Sequence, residues 1–121
     1  MSLPQSDDET LLLHNPRCSK SRATLVLLQE RGAPFSERCY LDEPLSVGEL
    51  KDLQTRLGRA PSEWVRGGEA AFEEAGLSKD SSDDDLIAAM AREPILMERP
   101  IVVRGGRAVV GRPPEAVLEI L

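Results

Sequence analysis

The sequence predicts an α/β domain built as a β-α-β half, a helical block and a β-β-α half. Three observations carry this. The apolar trio Leu11-Leu12-Leu13 and an alternating stretch from Phe35 to Leu41 flank a helical segment, and two strands separated by one helix form a parallel pair. Helix capping signals then recur through residues 46–93. Last, Ile101-Val102-Val103 and Ala108-Val109-Val110 flank Arg104-Gly105-Gly106-Arg107, a two-residue hairpin turn.

Taken in order, residues 1–9 are polar and acidic and are expected to form a disordered lead-in. Residues 10–121 are expected to be one domain carrying a helical insertion at about 46–93. The first helix should run from Ser19 to Arg31, with Ala23, Val26 and Leu27 as its apolar stripe, Gln29-Glu30 on its polar back and Gly32 as its stop. Phe35, Cys39 and Leu41 alternate with Ser36, Arg38 and Tyr40. That alternation assigns Cys39 to the apolar face of a strand, as a buried structural residue.

Ser46-Val47-Gly48-Glu49 fits a capping box, with Leu45 and Leu50 at the staple positions. Leu50, Leu53 and Leu57 form the stripe of that helix, closed by Gly58. Pro61 suits the first turn of a short helix carrying Trp64 and Val65, ended by Gly67-Gly68. A second short helix follows over residues 69–75. Ser82 caps another, whose first turn holds Asp83, Asp84 and Asp85 and whose inward residues are Leu86, Ile87 and Met90. The acidic run at 80–85 reads as a solvated helix start and not as a metal site. Pro113-Pro114 opens a last helix with Val117, Leu118 and Leu121 on one face.

Composition narrows the function. The 121 residues carry 15 Lys and Arg against 21 Asp and Glu, a net charge of -6, which argues against a nucleic-acid partner. Two cysteines are too few for a disulfide-stapled scaffold. No apolar run approaches the roughly 18 residues of a membrane span, and the first ten residues lack the character of a signal peptide. A cytoplasmic, reducing setting, no membrane partner and a monomeric state are the resulting expectations.

Against that acidic background, Arg17, Lys20 and Arg22 crowd around Cys18 where strand gives way to helix. A helix start offers unpaired N–H groups and the positive end of the dipole, both of which favour a thiolate. The same features attract a tetrahedral oxyanion. Cys18 is therefore the candidate nucleophile, set inside an anion-binding loop. His14 lies four residues earlier, where an imidazolium would lower the thiol pKa or a neutral ring would order the loop.

The loop His14-Asn15-Pro16-Arg17-Cys18-Ser19-Lys20-Ser21-Arg22 resembles the active-site loop of glutathione/glutaredoxin-dependent arsenate reductases. Tyr40-Leu41-Asp42-Glu43-Pro44, the stretch from Ile95 to Val103, and Gly111-Arg112-Pro113-Pro114-Glu115 are similar to later segments of that family, in the same order. The resemblance implies a thioredoxin-like fold, with Asn15, Pro16 and a cis Pro100 shaping the site. It implies Cys18 as catalytic residue, Arg66, Arg99 and Arg112 together with Ser19, Lys20 and Ser21 as the oxyanion site, and His14, Arg17 and Arg22 as tuners of the thiol. No metal and no bound cofactor are implied.

The implied chemistry is attack of Cys18 on arsenate with loss of water or hydroxide. A glutathione thiol then adds as co-substrate, and glutaredoxin reduces the mixed disulfide as arsenite leaves. Guanidinium forks suit this work because each grips two oxygens. Two alternatives stay open: a redox-sensing regulator that docks on RNA polymerase, which would carry a cysteine where Ser21 stands, and a glutathione-dependent thiol reductase. Whether Cys39 resolves an intermediate, whether arsenate is the physiological oxyanion and what Arg66 does are likewise open.

Overall fold

The computed structural model describes residues 3–121. Four strands, β1 (Thr10–His14), β2 (Ser36–Cys39), β3 (Ile101–Arg104) and β4 (Arg107–Val110), form one sheet in the order β2-β1-β3-β4. β1 runs parallel to β2 and antiparallel to β3, and β3 and β4 form the expected hairpin. The α-helices are α1 (Ser19–Arg31), α2 (Val47–Leu57), α3 (Ala70–Glu74) and α4 (Asp83–Arg92). This is the thioredoxin-like plan, with the helical block inserted between its β-α-β and β-β-α halves.

The chain divides into two compact units. The first comprises residues 1–43 and 99–121, and the second is the insertion widened to residues 44–98. In the first unit β1 is buried at every position, as befits a central strand covered on both faces. Leu12, Leu28, Val102, Val117 and Ile120 make its core, and Leu25, Leu27, Phe35, Val109 and Leu121 pack against them.

Helix α1 has the expected ends but not the expected face. Ser21, Thr24 and Leu28 are its buried residues, spaced as one helical stripe, while Ala23 is exposed and Val26 is 49 % exposed. Burial of the two hydroxyls is tolerated because both are hydrogen-bonded. The alternation in β2 is also inverted: Arg38 and Tyr40 are buried and Cys39 is only half-buried. The Arg38 side chain enters the interior with its Nε–H donating to the Glu43 carbonyl at 2.9 Å.

The C-terminal segment Pro114–Ile120 is a 3-10 helix, not an α-helix. With three residues per turn, Val117 and Ile120 fall on the inner side and Leu118 is left 40 % exposed. In the N-terminal lead-in Leu3 (2 % exposed) and Pro4 are buried and residues 5–9 are exposed, and the hairpin residue Gly105 donates its N–H to the Glu9 carbonyl at 3.1 Å. Disorder expected for Met1 and Ser2 lies outside the described residues.

In the second unit the Ser46 capping box is formed on both sides, with Glu49 N–H to Ser46 Oγ at 3.1 Å and Ser46 N–H to Glu49 Oε1 at 3.1 Å. Leu45 and Leu50 are both buried, as a hydrophobic staple requires. The Pro61 helix is a single 3-10 turn over Pro61–Glu63, followed by fully buried Trp64 and an isolated bridge between Val65 and Met97. Ser82 caps α4 through the Asp85 N–H at 3.1 Å. Among the described residues no helix is long and apolar enough to cross a membrane.

Candidate active site

Cys18 is the N-cap of α1, with extended backbone angles (φ -97°, ψ 125°) that turn the chain from β1 into the helix. Its N–H donates to the Asn15 carbonyl and its carbonyl accepts from the Arg22 N–H, each at 3.0 Å. The loop is tied further by Arg17 N–H to Asn15 Oδ1 and Arg22 Nη1 to the Pro16 carbonyl, also 3.0 Å each. Asn15 and Pro16 thus act as acceptors that fold the loop around the cysteine.

The thiol is half-buried and makes no cap hydrogen bond of its own. Burial pushes its pKa up. The Ser21 and Lys20 backbone N–H groups, and then the charges of Arg99 and Arg112, outweigh that and hold it below the ordinary thiol value. The N–H groups that favour the thiolate are among the first free ones of α1.

The cations that act on the sulfur come from the far end of the chain. Arg99 precedes β3 and Arg112 follows β4. Arg112 Nε donates to the Arg99 carbonyl at 2.8 Å, which links the two segments. The Arg99–Pro100 peptide is cis, as the resemblance implied, and Arg112–Pro113 is cis as well. The local arginines do other work. Arg22 is engaged with Pro16, and Arg17 is exposed at the loop surface.

His14 is placed to order the loop. It is 7 % exposed, and burial, with Arg22 adding to it, lowers its pKa against the opposing pull of Glu37. A lowered pKa works against an imidazolium beside Cys18 and favours the loop-ordering alternative. His14 Nδ1 lies 2.7 Å from Ser21 Oγ, which also accepts the Asn15 N–H at 3.0 Å. Which of the two groups donates in the His14–Ser21 hydrogen bond follows the tautomer of the imidazole. Ser21 is fully buried in this network, so its hydroxyl orders the loop and is not presented to a ligand. Ser19 and Lys20 are exposed on the first turn of α1.

Arg66 belongs to the second unit, where its Nη2 pairs with Glu69 Oε1 at 2.6 Å and its N–H donates to the Leu96 carbonyl at 2.7 Å. Cys39 is a free, half-buried thiol at the end of β2, in register with His14 on β1. Among the described residues no three His, Cys, Asp or Glu side chains are grouped to hold a metal ion. Thr24 and Gly111 are the positions that sequence reasoning passed over. Thr24 looks like an ordinary helix residue, and only packing reveals its burial under the site.

A model of the ArsC family matches residues 13–120. An arsenate reductase of Neisseria meningitidis (serogroup A) is 45 % identical over 115 residues, covering 93 % of this chain and 98 % of that protein. An arsenate reductase of Haemophilus influenzae is 40 % identical over 113 residues, covering 92 % and 97 %. Among solved structures, an arsenate reductase from Vibrio cholerae superposes with a TM-score of 0.89 at 47 % identity, covering 96 % of this chain and all of that one.

Proposed function

The chain belongs to the ArsC family, and from that premise we propose that it is an arsenate reductase with Cys18 as nucleophile and glutathione with glutaredoxin as reductant. The observation that carries the reading is a thiol at the α1 start, lowered in pKa by the Ser21 and Lys20 N–H groups and by Arg99 and Arg112. Arsenate brings negative charge that the thiolate must approach, so fixed cations are needed before chemistry can begin.

In the first step a Cys18 S–As bond forms, one As–O bond breaks, and the oxygen leaves as water once protonated. Arg99 and Arg112 hold the remaining oxygens while charge moves among them. Reduction of As(V) to As(III) takes two electrons, which two thiols supply by ending as one disulfide. The Cys18 loop has Ser21 where a CxxC partner would stand, so the second and third thiols are external: a glutathione thiol bonds to the Cys18 sulfur as the S–As bond breaks and arsenite leaves, and a glutaredoxin thiol then takes the glutathione sulfur and returns Cys18 to the thiol. Ser21, bound to His14, also disfavours the redox-sensing regulator, which needs a second loop thiol.

The test is turnover of purified protein with arsenate, glutathione and glutaredoxin, beside Cys18→Ser. Arsenite formation by the parent and none by the variant is expected. Arsenite formation by Cys18→Ser, or none by the parent, would sink the reading.

A further inference from the structure

Gly111 sits where a Cβ would collide with Pro100 and press tightly on Thr24 and Val117. An alanine Cβ there would stand 2.8 Å from Pro100 Cγ, 3.0 Å from Thr24 Oγ1 and 3.3 Å from Val117 Cγ1. The backbone at this position is not left-handed, so glycine supplies room and not conformational freedom. Its N–H donates to the Pro100 carbonyl at 2.8 Å, one step beyond the Ile101–Val110 pair of the β3-β4 ladder. Thr24 is fully buried and pinned by its own hydroxyl, which donates to the Lys20 carbonyl at 3.0 Å. Neither neighbour is a flexible side-chain end that could swing aside.

Each of the two tightest neighbours belongs to a segment bearing a site residue. Pro100 follows Arg99, Thr24 lies on the helix that Cys18 caps, and Gly111 itself precedes Arg112. We propose that Gly111 is a positioning residue, whose missing side chain sets how closely Arg99 and Arg112 approach Cys18. Adding a methyl group drives the arginine-bearing segments away from α1. The thiolate then loses part of the positive field that favours it, and the oxyanion loses its paired cations. The consequence for turnover rests on the arsenate reductase reading; the consequence for the thiol does not.

The experiment is iodoacetamide alkylation of Cys18 against pH in Cys39→Ser protein, with a thermal melt of each variant. Gly111→Ala should move the alkylation midpoint upward by about half of what the Arg99→Ala/Arg112→Ala double variant produces. Ile120→Ala serves as a control that loosens the same unit away from the site, and its midpoint should match the parent. A folded Gly111→Ala protein with the parent midpoint overturns the proposal, as does an equal shift in Ile120→Ala. Should Gly111→Ala fail to fold, Gly111→Ala/Thr24→Ala opens one wall and takes the same test. Failure of both to fold also overturns it, since Gly111 would then serve the fold and not the site. Because alkylation needs no arsenate, a parent protein that leaves arsenate unreduced sinks the proposed function and leaves this result standing.

Discussion

Arg112 Nε donates to the backbone carbonyl of Arg99 at 2.8 Å, so one arginine of the pair is fixed to the other's main chain. Its guanidinium is thereby both a charge near Cys18 and a strut. Lysine at 112 keeps the charge and loses the Nε–H. Arg112→Ala is expected to cut kcat/KM for arsenate by about 10- to 100-fold, the scale of a lost charge-assisted hydrogen bond. Arg112→Lys should recover only part of that. Full activity in Arg112→Ala at an unchanged Tm would reduce the residue to a surface charge.

Cys18 should alkylate with a midpoint below that of a free thiol, read in a Cys39→Ser background. The cause lies in the Ser21 and Lys20 N–H groups and the two distant arginines prevailing over burial. Arg99→Ala should raise the midpoint, and Arg17→Ala should leave it in place. The reverse order would return the tuning role to the loop.

His14 gives a pH dependence of stability with a definite sign. Its folded pKa lies below the ordinary value, with burial the largest cause, so the unfolded chain takes the proton first as pH falls. The stabilisation is complete above about pH 6.5 and is lost as pH drops through the folded pKa. In a Cys18→Ser background, which removes the thiol's own titration, Tm should decline through this window. His14→Gln should flatten the decline, and an equal slope in both proteins would contradict the assignment. The sequence holds a single histidine, so the comparison is clean.

Cys39 is half-buried and not a core residue. Cys39→Ala is expected to lower stability by less than about 1 kcal/mol and to leave turnover with glutathione and glutaredoxin intact. Mass spectrometry after single-turnover mixing with arsenate alone should show no Cys18–Cys39 disulfide. Finding one would make Cys39 the resolving thiol and change the reductant.

At the C-terminus the 3-10 geometry makes a direct forecast. Ile120→Ala should cost about 2–4 kcal/mol in denaturant melts, and Leu118→Ala about 0.5 kcal/mol or less. Equal losses would restore the α-helical face.

Local chemistry made several elements readable in advance. Gly32 ends α1 in the left-handed conformation (φ 73°), and Ser46, Glu49 and Ser82 cap as their residue types prescribe. The Gly105-Gly106 turn was equally plain. What the sequence concealed depends on three-dimensional neighbours. Burial of Ser21 and Thr24 contradicts their polarity and makes sense only once their hydrogen-bond partners are in place. Arg38 turns inward because the Glu43 carbonyl receives it. In the site, Cys18 was legible from its junction, whereas its cationic partners lie some eighty to ninety-four residues later and entered only through the family resemblance. Arg99 and Arg112 are the arginines whose charges lower the thiol pKa, while Arg22 is engaged with Pro16 and Arg17 is exposed.

The chain contains two Gly-Gly pairs that look interchangeable on paper, and they differ at Gly105, since Gly106 is as open as Gly67 and Gly68. A Cβ at Gly67 or Gly68 would meet nothing within 4 Å. At Gly105, where φ is +55°, it would stand 2.8 Å from Asp7 Cα and 3.1 Å from the Asp7 carbonyl oxygen. For anyone grafting an epitope, a fluorophore or a circular-permutation joint onto this scaffold, the 67–68 turn is the permissive port. The hairpin tip is a clasp over the N-terminal segment, and cargo placed there would first have to unfasten it.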